Sequence, residues 1–141
     1  MSFAGLNTLA ILLATAASFL FGGVWYGLFS KPWMAAANVD FETLTKGGKS
    51  PALTPYLIAF AALLVMALML AGVIGHLGPG AVTLGNGLIS GALIWLGFVA
   101  TSLAVNHAFQ GASPMLTLID GGHWLGVLLI QGGIIGAFGL A

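Results

Sequence analysis

The last long apolar segment of this 141-residue chain opens with the stretch Leu116–Gly126, LTLIDGGHWLG. Its one charged residue is Asp120. Insertion of such a side chain at the centre of a bilayer costs about 2.5–3.5 kcal/mol of free energy, and less near the membrane surface. A carboxylate in such a place usually marks a functional or structural contact. His123 and Trp124 follow three and four residues later, so they share a helical face with Asp120. The sequence therefore predicts that the polar contacts of the molecule centre on Asp120.

The composition indicates the surroundings in which this chain folds. Charged residues make up 4% of the sequence and hydrophobic residues 60%, whereas soluble proteins carry about 25% charged residues. The three basic and three acidic side chains balance, and without a basic patch we expect no nucleic-acid partner. The lack of cysteine excludes disulfides and thiol catalysis. We therefore predict a single membrane domain over residues 1–141, with the lipid bilayer as its solvent.

Four apolar stretches are each long enough to cross about 30 Å of hydrocarbon as a helix. They cover approximately residues 6–29, 55–75, 83–106 and 115–140, with glycines and prolines marking the connections. The second and third connections are short, so the second, third and fourth helices are expected to be antiparallel neighbours. The fold class that we predict is all-α, a bundle of four transmembrane helices.

The polar loop 30–54 is the only sizeable connection, and it holds all three lysines, Lys31, Lys46 and Lys49. The positive-inside rule therefore places this loop in the cytoplasm and both termini outside. Within the loop, Asp40 is expected to cap a short helical turn that runs to Lys46 and lies on the membrane surface.

The aromatic residues also indicate a sided molecule. Five of them fall toward the lysine-bearing side, as in an interfacial belt: Trp25, Tyr26, Trp33, Tyr56 and Trp124. Trp95 is the exception, because it lies near the middle of the third predicted helix.

Glycine is abundant, with 22 residues in the chain. Pairs of glycines four residues apart let the backbones of helices in lipid approach closely. The helix-packing glycines that we predict are Gly23, Gly27, Gly87, Gly91, Gly122, Gly126, Gly132 and Gly136. Whether they pack helices within one chain or also join different subunits stays open.

Polar side chains from three predicted helices converge near the cytoplasmic surface. The cluster comprises Asp120, His123, Asn106, His107, Tyr26 and Trp25. The Tyr26 hydroxyl, the Asn106 amide or a histidine is expected to hydrogen-bond the carboxylate, which offsets part of its desolvation cost. Two interpretations stay open. Asp120 ties helices together, or Asp120 and His123 form a proton or cation site.

The spacing of the histidines gives little support to a metal site. His107, Asp120 and His123 nominally make a set of two histidines and one carboxylate. However, His107 is expected at the membrane surface, whereas His123 is expected about 12 Å into the fourth helix. We therefore expect no metal and no cofactor, and the one alternative left open is a tetrapyrrole ligated by His123 alone. On the opposite side, Asn86 and Gln131 are expected to hydrogen-bond across the third and fourth helices.

Two short motifs suggest relatives. The first is Phe21–Phe29, FGGVWYGLF, followed by Lys31 and Trp33. The second is Leu118–Gly122, LIDGG, preceded by Asn106 and Phe109. With these motifs the chain resembles a family of small bacterial four-helix integral membrane proteins of unknown function. The resemblance implies the four-span fold, draws attention to Trp25, Tyr26, Asn106 and Asp120, and implies no reaction, since that family has none assigned. We expect the protein in a bacterial inner membrane.

The sequence lacks the signatures of enzymes that we considered: a nucleophile elbow, a His-Glu-x-x-His motif and a phosphate loop. We therefore expect a non-enzymatic packing or accessory subunit that forms a homo-oligomer or docks onto a larger membrane complex. The alternative is a small proton-coupled transporter or channel that uses Asp120 and His123. The surroundings of Asp120 discriminate between the two, because packing requires a sealed carboxyl group and transport requires a water-accessible one.

Overall fold

The computed structural model describes residues 5–48 and 52–141, and all regular structure within them is helical. In chain order the elements are α1 (Thr8–Leu28), α2 (Ser30–Ala37), α3 (Phe41–Thr45), α4 (Leu53–His76), a 3₁₀ turn (Pro79–Ala81), α5 (Leu84–Ile94), a π-helical segment (Trp95–Ala100), α6 (Thr101–Phe109) and α7 (Pro114–Phe138). Since α5, the π-helical segment and α6 follow one another without a break, they form one helix, Leu84–Phe109, which we call the third span.

Four of these helices are long and apolar enough to cross a membrane: α1, α4, the third span and α7. The predicted all-helical fold with four such helices is therefore confirmed. The helix ends differ from the predicted bounds by a few residues, and the third span continues past Asn106 to Phe109. It continues because the next residue that favours a turn is Gly111, which adopts a φ of 64°.

Side-chain caps explain where three of the four long helices begin; α4 starts after Ala52 without one. Asn7, Thr83 and Ser113 each accept a hydrogen bond from a backbone N–H of the first turn, at 3.1, 3.3 and 3.3 Å. Such a cap satisfies one of the N–H groups that a helix leaves unpaired at its start. Pro114 then opens α7, at a position where its missing N–H leaves no hydrogen bond unmade.

The predicted polar loop contains two further helices. The short turn α3 is the expected one, and Asp40 caps it by accepting a hydrogen bond from the Thr43 N–H at 2.7 Å. The bonds from Thr43 hold the pKa of the Asp40 carboxyl below its ordinary value. The helix α2 is absent from the prediction. It begins directly after Phe29 and lies against α7. The predicted cation Lys49 lies outside the described residues.

The helix α7 is central, since it contacts α1, α2, α4 and the third span. The buried core lies between α1, α4 and α7 and contains Ile11, Ala14, Ala67, Leu70, Ala71, Ile74, Leu128 and Ile135. The third span contributes least to it. Its buried residues are Gly87 and Gly91, whereas nine residues of α7 are buried. The third span therefore packs against α7 through one narrow face, and the rest of its surface is exposed.

Glycines set the contact between α5 and α7. A Cβ atom at Gly87 would overlap the carbonyl oxygen of Gly132, and a Cβ atom at Gly132 would overlap that of Gly87. Gly91 and Gly136 approach the facing backbone in the same way. These four predicted glycines thus let two helix backbones touch, as small residues do between helices in lipid.

Two of the predicted packing glycines lie elsewhere. Gly23 and Gly27 are on the exposed side of α1, where a Cβ atom would meet nothing within 4 Å. They make no close helix contact within the described residues. The reason is the rotation of α1, which turns Gly22 and Trp25 toward α7 instead.

The glycine contact predicts a selective loss of stability. We expect Gly87→Ala to lower the free energy of unfolding by about 1–3 kcal/mol, because the added methyl group meets backbone rather than a movable side chain. The measurement is denaturant-driven unfolding in detergent micelles. Gly85→Ala is the control, since Gly85 is exposed on the same helix and its Cβ would meet nothing within 4 Å. Equal losses in the two variants would contradict a backbone contact at Gly87.

Candidate functional site

Asp120 lies half-buried in the second turn of α7 and joins three helices. The hydroxyl of Tyr26, near the end of α1, donates to Asp120 Oδ1 at 2.8 Å. The indole Nε1 of Trp33, in α2, donates to the same oxygen at 3.0 Å. The two donor rings meet edge to face with their centroids 6.0 Å apart. One carboxyl oxygen therefore holds both the end of α1 and the following helix against α7.

The residues on either side of Asp120 receive two further indole hydrogen bonds. Trp25 Nε1 donates to the carbonyl of Ile119 at 3.1 Å, and Trp95 Nε1 donates to the carbonyl of Gly121 at 2.8 Å. A carbonyl within a helix can accept such a bond with its second lone pair. The donors Tyr26, Trp33, Trp25 and Trp95 therefore surround residues 119–121 from α1, α2 and the third span. We call these four side chains the aromatic clamp.

Glycines beside the clamp make room for rings from the opposite helix. Gly22 accommodates the ring of His123, Gly122 that of Trp25 and Gly126 that of Phe21. A Cβ atom at Gly122 would lie 2.8 Å from Trp25 Cζ2, and one at Gly22 would lie 3.0 Å from His123 Nε2. Because each helix offers glycines to the rings of the other, α1 and α7 interlock in one register.

His123 is enclosed by aromatic rings next to the clamp. It is 7% exposed, and its ring centroid lies 6.0 Å from that of Phe21, 4.8 Å from that of Tyr26 and 4.9 Å from that of Trp124. Its Nδ1 has no hydrogen-bond partner among the described residues. A tetrapyrrole metal would bind a ring nitrogen of His123 in the plane of the imidazole, and Nε2 faces Gly22 of α1, where an added Cβ atom would lie 3.0 Å away.

Two residues of the predicted cluster lie outside the clamp. His107 Nδ1 is 2.9 Å from Thr117 Oγ1, so this side chain ties α6 to α7 instead of reaching Asp120. The side chain of Asn106 is exposed and makes no hydrogen bond within residues 5–48 and 52–141. The sequence predicts both side chains near Asp120 because the third helix ends close to the start of the fourth. In the structure, the rotation of α6 about its axis directs them away from Asp120.

A second buried polar group lies deeper in the bundle. Gln131 is 0% exposed, and its Nε2 donates to Ser18 Oγ at 3.1 Å and to the Leu63 carbonyl at 3.0 Å. Its Oε1 has no partner in the part of the chain that the structure describes. The expected hydrogen bond between Asn86 and Gln131 is wrong, because the Asn86 amide donates to the Ala81 carbonyl at 2.9 Å. Gln131 thus joins α7 to α1 and α4.

The chemistry that the clamp offers is the joining of helices. It presents one carboxyl group to neutral phenol and indole donors, so it holds three helices together without a counter-ion. Among the described residues, no group of three or more histidine, aspartate or glutamate side chains could hold a metal ion.

Two donors of the clamp, Trp33 and Trp95, are not part of the cluster that the sequence predicts. Trp33 falls in the predicted interfacial belt, and its bond depends on α2, which the sequence does not predict. Trp95 carries a usable signal, because an indole N–H near the middle of an apolar helix needs an acceptor from a neighbouring helix. That signal does not identify the acceptor.

The clamp predicts that the two tyrosines of the chain differ in their contribution to stability. We expect Tyr26→Phe to lower the free energy of unfolding by about 1–2 kcal/mol, because it removes the hydroxyl that donates to Asp120. Tyr56→Phe is the control, since Tyr56 is 47% exposed at the start of α4. Unfolding is followed by tryptophan fluorescence in micelles.

A double-mutant cycle then assigns the effect to the carboxyl group. In an Asp120→Leu background, Tyr26→Phe is expected to cost far less than in the natural chain, because its acceptor is gone. An unchanged cost would show that the hydroxyl acts through another neighbour.

Comparison with known proteins places the chain in a family. No curated protein and no solved structure matches it significantly. The sequence model of one family, described as a protein of unknown function (DUF1761), matches residues 9–136. The match includes Asp120 and all four donors of the aromatic clamp. The chain therefore belongs to the DUF1761 family, a family of unknown function.

Proposed function

We propose that this chain is an integral, multi-pass membrane protein that acts as a non-enzymatic packing or accessory subunit. It does so in a homo-oligomer or as part of a larger membrane complex. The observation that carries the proposal is a contrast between two parts of the fold. Asp120 is tied to Tyr26 and Trp33, whereas the third span leaves most of its apolar surface uncovered.

The contrast follows from how helices associate in lipid. Without water to expel, helices gain free energy from close packing and from hydrogen bonds between them. The helix α7 uses both, because its Gly132 packs against Gly87 of α5 and its residues 119–121 accept the hydrogen bonds of the aromatic clamp. The third span uses one face only, so a further protein surface can pack on it without disturbing the clamp.

We further propose a bacterial inner membrane, with loop 30–54 in the cytoplasm and both termini outside. Lys31 and Lys46 support this orientation, since both are exposed beside the helix ends at that side. Phe41 supports a position of α3 on the membrane surface, because this apolar side chain is 58% exposed. The partners implied are lipids and membrane proteins, and the balanced charge supports no nucleic-acid partner.

The proposal predicts the size of the native particle. Extracted from its own membrane in mild detergent, the protein is expected to migrate as a particle with more than one polypeptide at a fixed ratio. Native mass spectrometry measures the ratio, and the mass of one chain is 14.3 kDa. A particle that contains a single copy of this chain and no other protein would overturn the proposal.

A second candidate function is a small proton-coupled transporter or channel that uses Asp120 and His123. The observation in its favour is a pair of buried polar atoms, His123 Nδ1 and Gln131 Oε1, with no partner among the described residues. Ser18, bonded to Gln131, adds a polar group from α1 where α7 itself offers apolar side chains. Polar groups therefore continue beyond Asp120 toward the middle of the bundle.

Proton flux separates the two candidates. For a packing subunit we expect liposomes that contain the purified protein to take up protons no faster than empty liposomes under an imposed membrane potential. The readout is a pH-sensitive dye inside the liposomes. Asp40→Asn is the control for Asp120→Asn, since Asp40 lies in the exposed loop. Flux that only Asp120→Asn removes would establish the transporter instead.

A further inference from the structure

We propose that His123 makes the aromatic clamp sensitive to pH. When its imidazole takes up a proton, it pairs with the carboxylate of Asp120, and Trp33 of α2 loses its acceptor. The inference goes beyond the proposed function, because it holds for a packing subunit and for a transporter alike.

The neutral imidazole fits its surroundings as an aromatic ring. It is 7% exposed and lies against the rings of Phe21, Tyr26 and Trp124. Its Nδ1 has no partner among the described residues, and its Nε2 faces Gly22, where an added Cβ atom would lie 3.0 Å away. Because the ring is buried, the imidazole depends on protein groups rather than on bulk water for new hydrogen bonds.

A proton changes what these surroundings must supply. The histidine side chain changes its charge between about pH 5 and pH 8, and both ring nitrogens of the charged form are donors. The faces of the neighbouring rings attract a cation, but they are weak acceptors of N–H groups. A buried charge without a partner is strongly unfavourable. The charged form therefore requires an acceptor, and a carboxylate is the strongest one.

Asp120 is the only acidic side chain within α1, α2, α4, the third span and α7. It lies three residues before His123 on α7, so the two side chains share a helical face. Tyr26 is the titratable group that faces His123 from α1, and its hydroxyl already donates to Asp120. The other titratable side chains of these helices all lie near helix ends: Lys31, Tyr56, His76 and His107.

In the structure, the carboxyl group of Asp120 is bound to other donors. Its Oδ1 accepts from Tyr26 at 2.8 Å and from Trp33 at 3.0 Å, and no hydrogen bond joins it to His123. The ring of Tyr26 contacts those of both His123 and Trp33, with centroid distances of 4.8 and 6.0 Å. To pair with the imidazolium, the carboxylate must turn toward His123, and Oδ1 then moves away from Trp33.

The docking of α2 depends on that hydrogen bond. The helix α2 contains no buried residue. Within the described residues its side chains donate two hydrogen bonds, from Ser30 to the Gly27 carbonyl just before the helix and from Trp33 to Asp120. The bond from Trp33 is the one that reaches α7. Protonation of His123 therefore loosens α2 from α7.

The experiment follows the indole N–H groups by NMR. The chain has four tryptophans and three histidines, so the signals of the nitrogen-15-labelled protein in micelles can be assigned by single substitutions. Between about pH 8 and pH 5, we expect the Trp33 indole signal to shift with the same midpoint as the imidazole of His123. Trp95 is the internal control, because its acceptor is the Gly121 carbonyl, and its signal should stay in place.

A substitution assigns the shift to His123. His123→Phe keeps an aromatic ring and removes the site of protonation, so the Trp33 signal should no longer change over this pH range. His107→Phe is the matched control, since His107 contacts Thr117 and lies outside the clamp. It should leave the titration of Trp33 unchanged.

Three results would contradict the inference. His123 could stay neutral throughout, which leaves no charge to pair. It could become charged while the Trp33 signal stays in place, which means that the cation is accommodated with the clamp closed. The Trp33 signal could still titrate in His123→Phe, which identifies Asp120 as the group that takes up the proton. If His123→Phe does not fold, the natural chain decides, because different midpoints for His123 and Trp33 also contradict the inference.

Discussion

Hydrogen bonding inside an apolar medium is the constraint on which this structure depends. Each indole or phenol placed among the helices must find an acceptor, and backbone carbonyls with a spare lone pair are available wherever side chains leave room. Gly121 supplies such a carbonyl, and Asp120 supplies a carboxyl oxygen beside it. The helix α7 is central for this reason, because its acceptors receive hydrogen bonds from α1, α2 and the third span.

The packing of rings against glycines between α1 and α7 permits those hydrogen bonds in only one register of the two helices. Gly22 accommodates His123 and Gly122 accommodates Trp25, so a shift of one helix along the other would bring rings against rings. Such a shift would also separate Tyr26 from Asp120. Packing and hydrogen bonding therefore fix the same register, and the agreement between levels of structure is what lets a sequence specify one fold.

Much of this fold follows from the sequence, and the exceptions have a common physical cause. Composition and length predict four long apolar helices, and the cost of burying Asp120 identifies it as a contact residue. The partners of Gln131 and the outward position of Asn106 do not follow, because a helix that is apolar on every side carries no signal of its rotation. Trp33 is missed since the direction of the chain after Phe29 depends on the docking of α2 against α7.

The π-helical segment Trp95–Ala100 has a consequence for changes in chain length. Such a segment holds extra backbone within one helix, and each residue of an α-helix turns the following part by about 100°. It therefore sets the rotation between α5, where Gly87 meets α7, and α6, where His107 meets Thr117. A deletion there would restore a regular helix and turn one of these two contacts away from its partner.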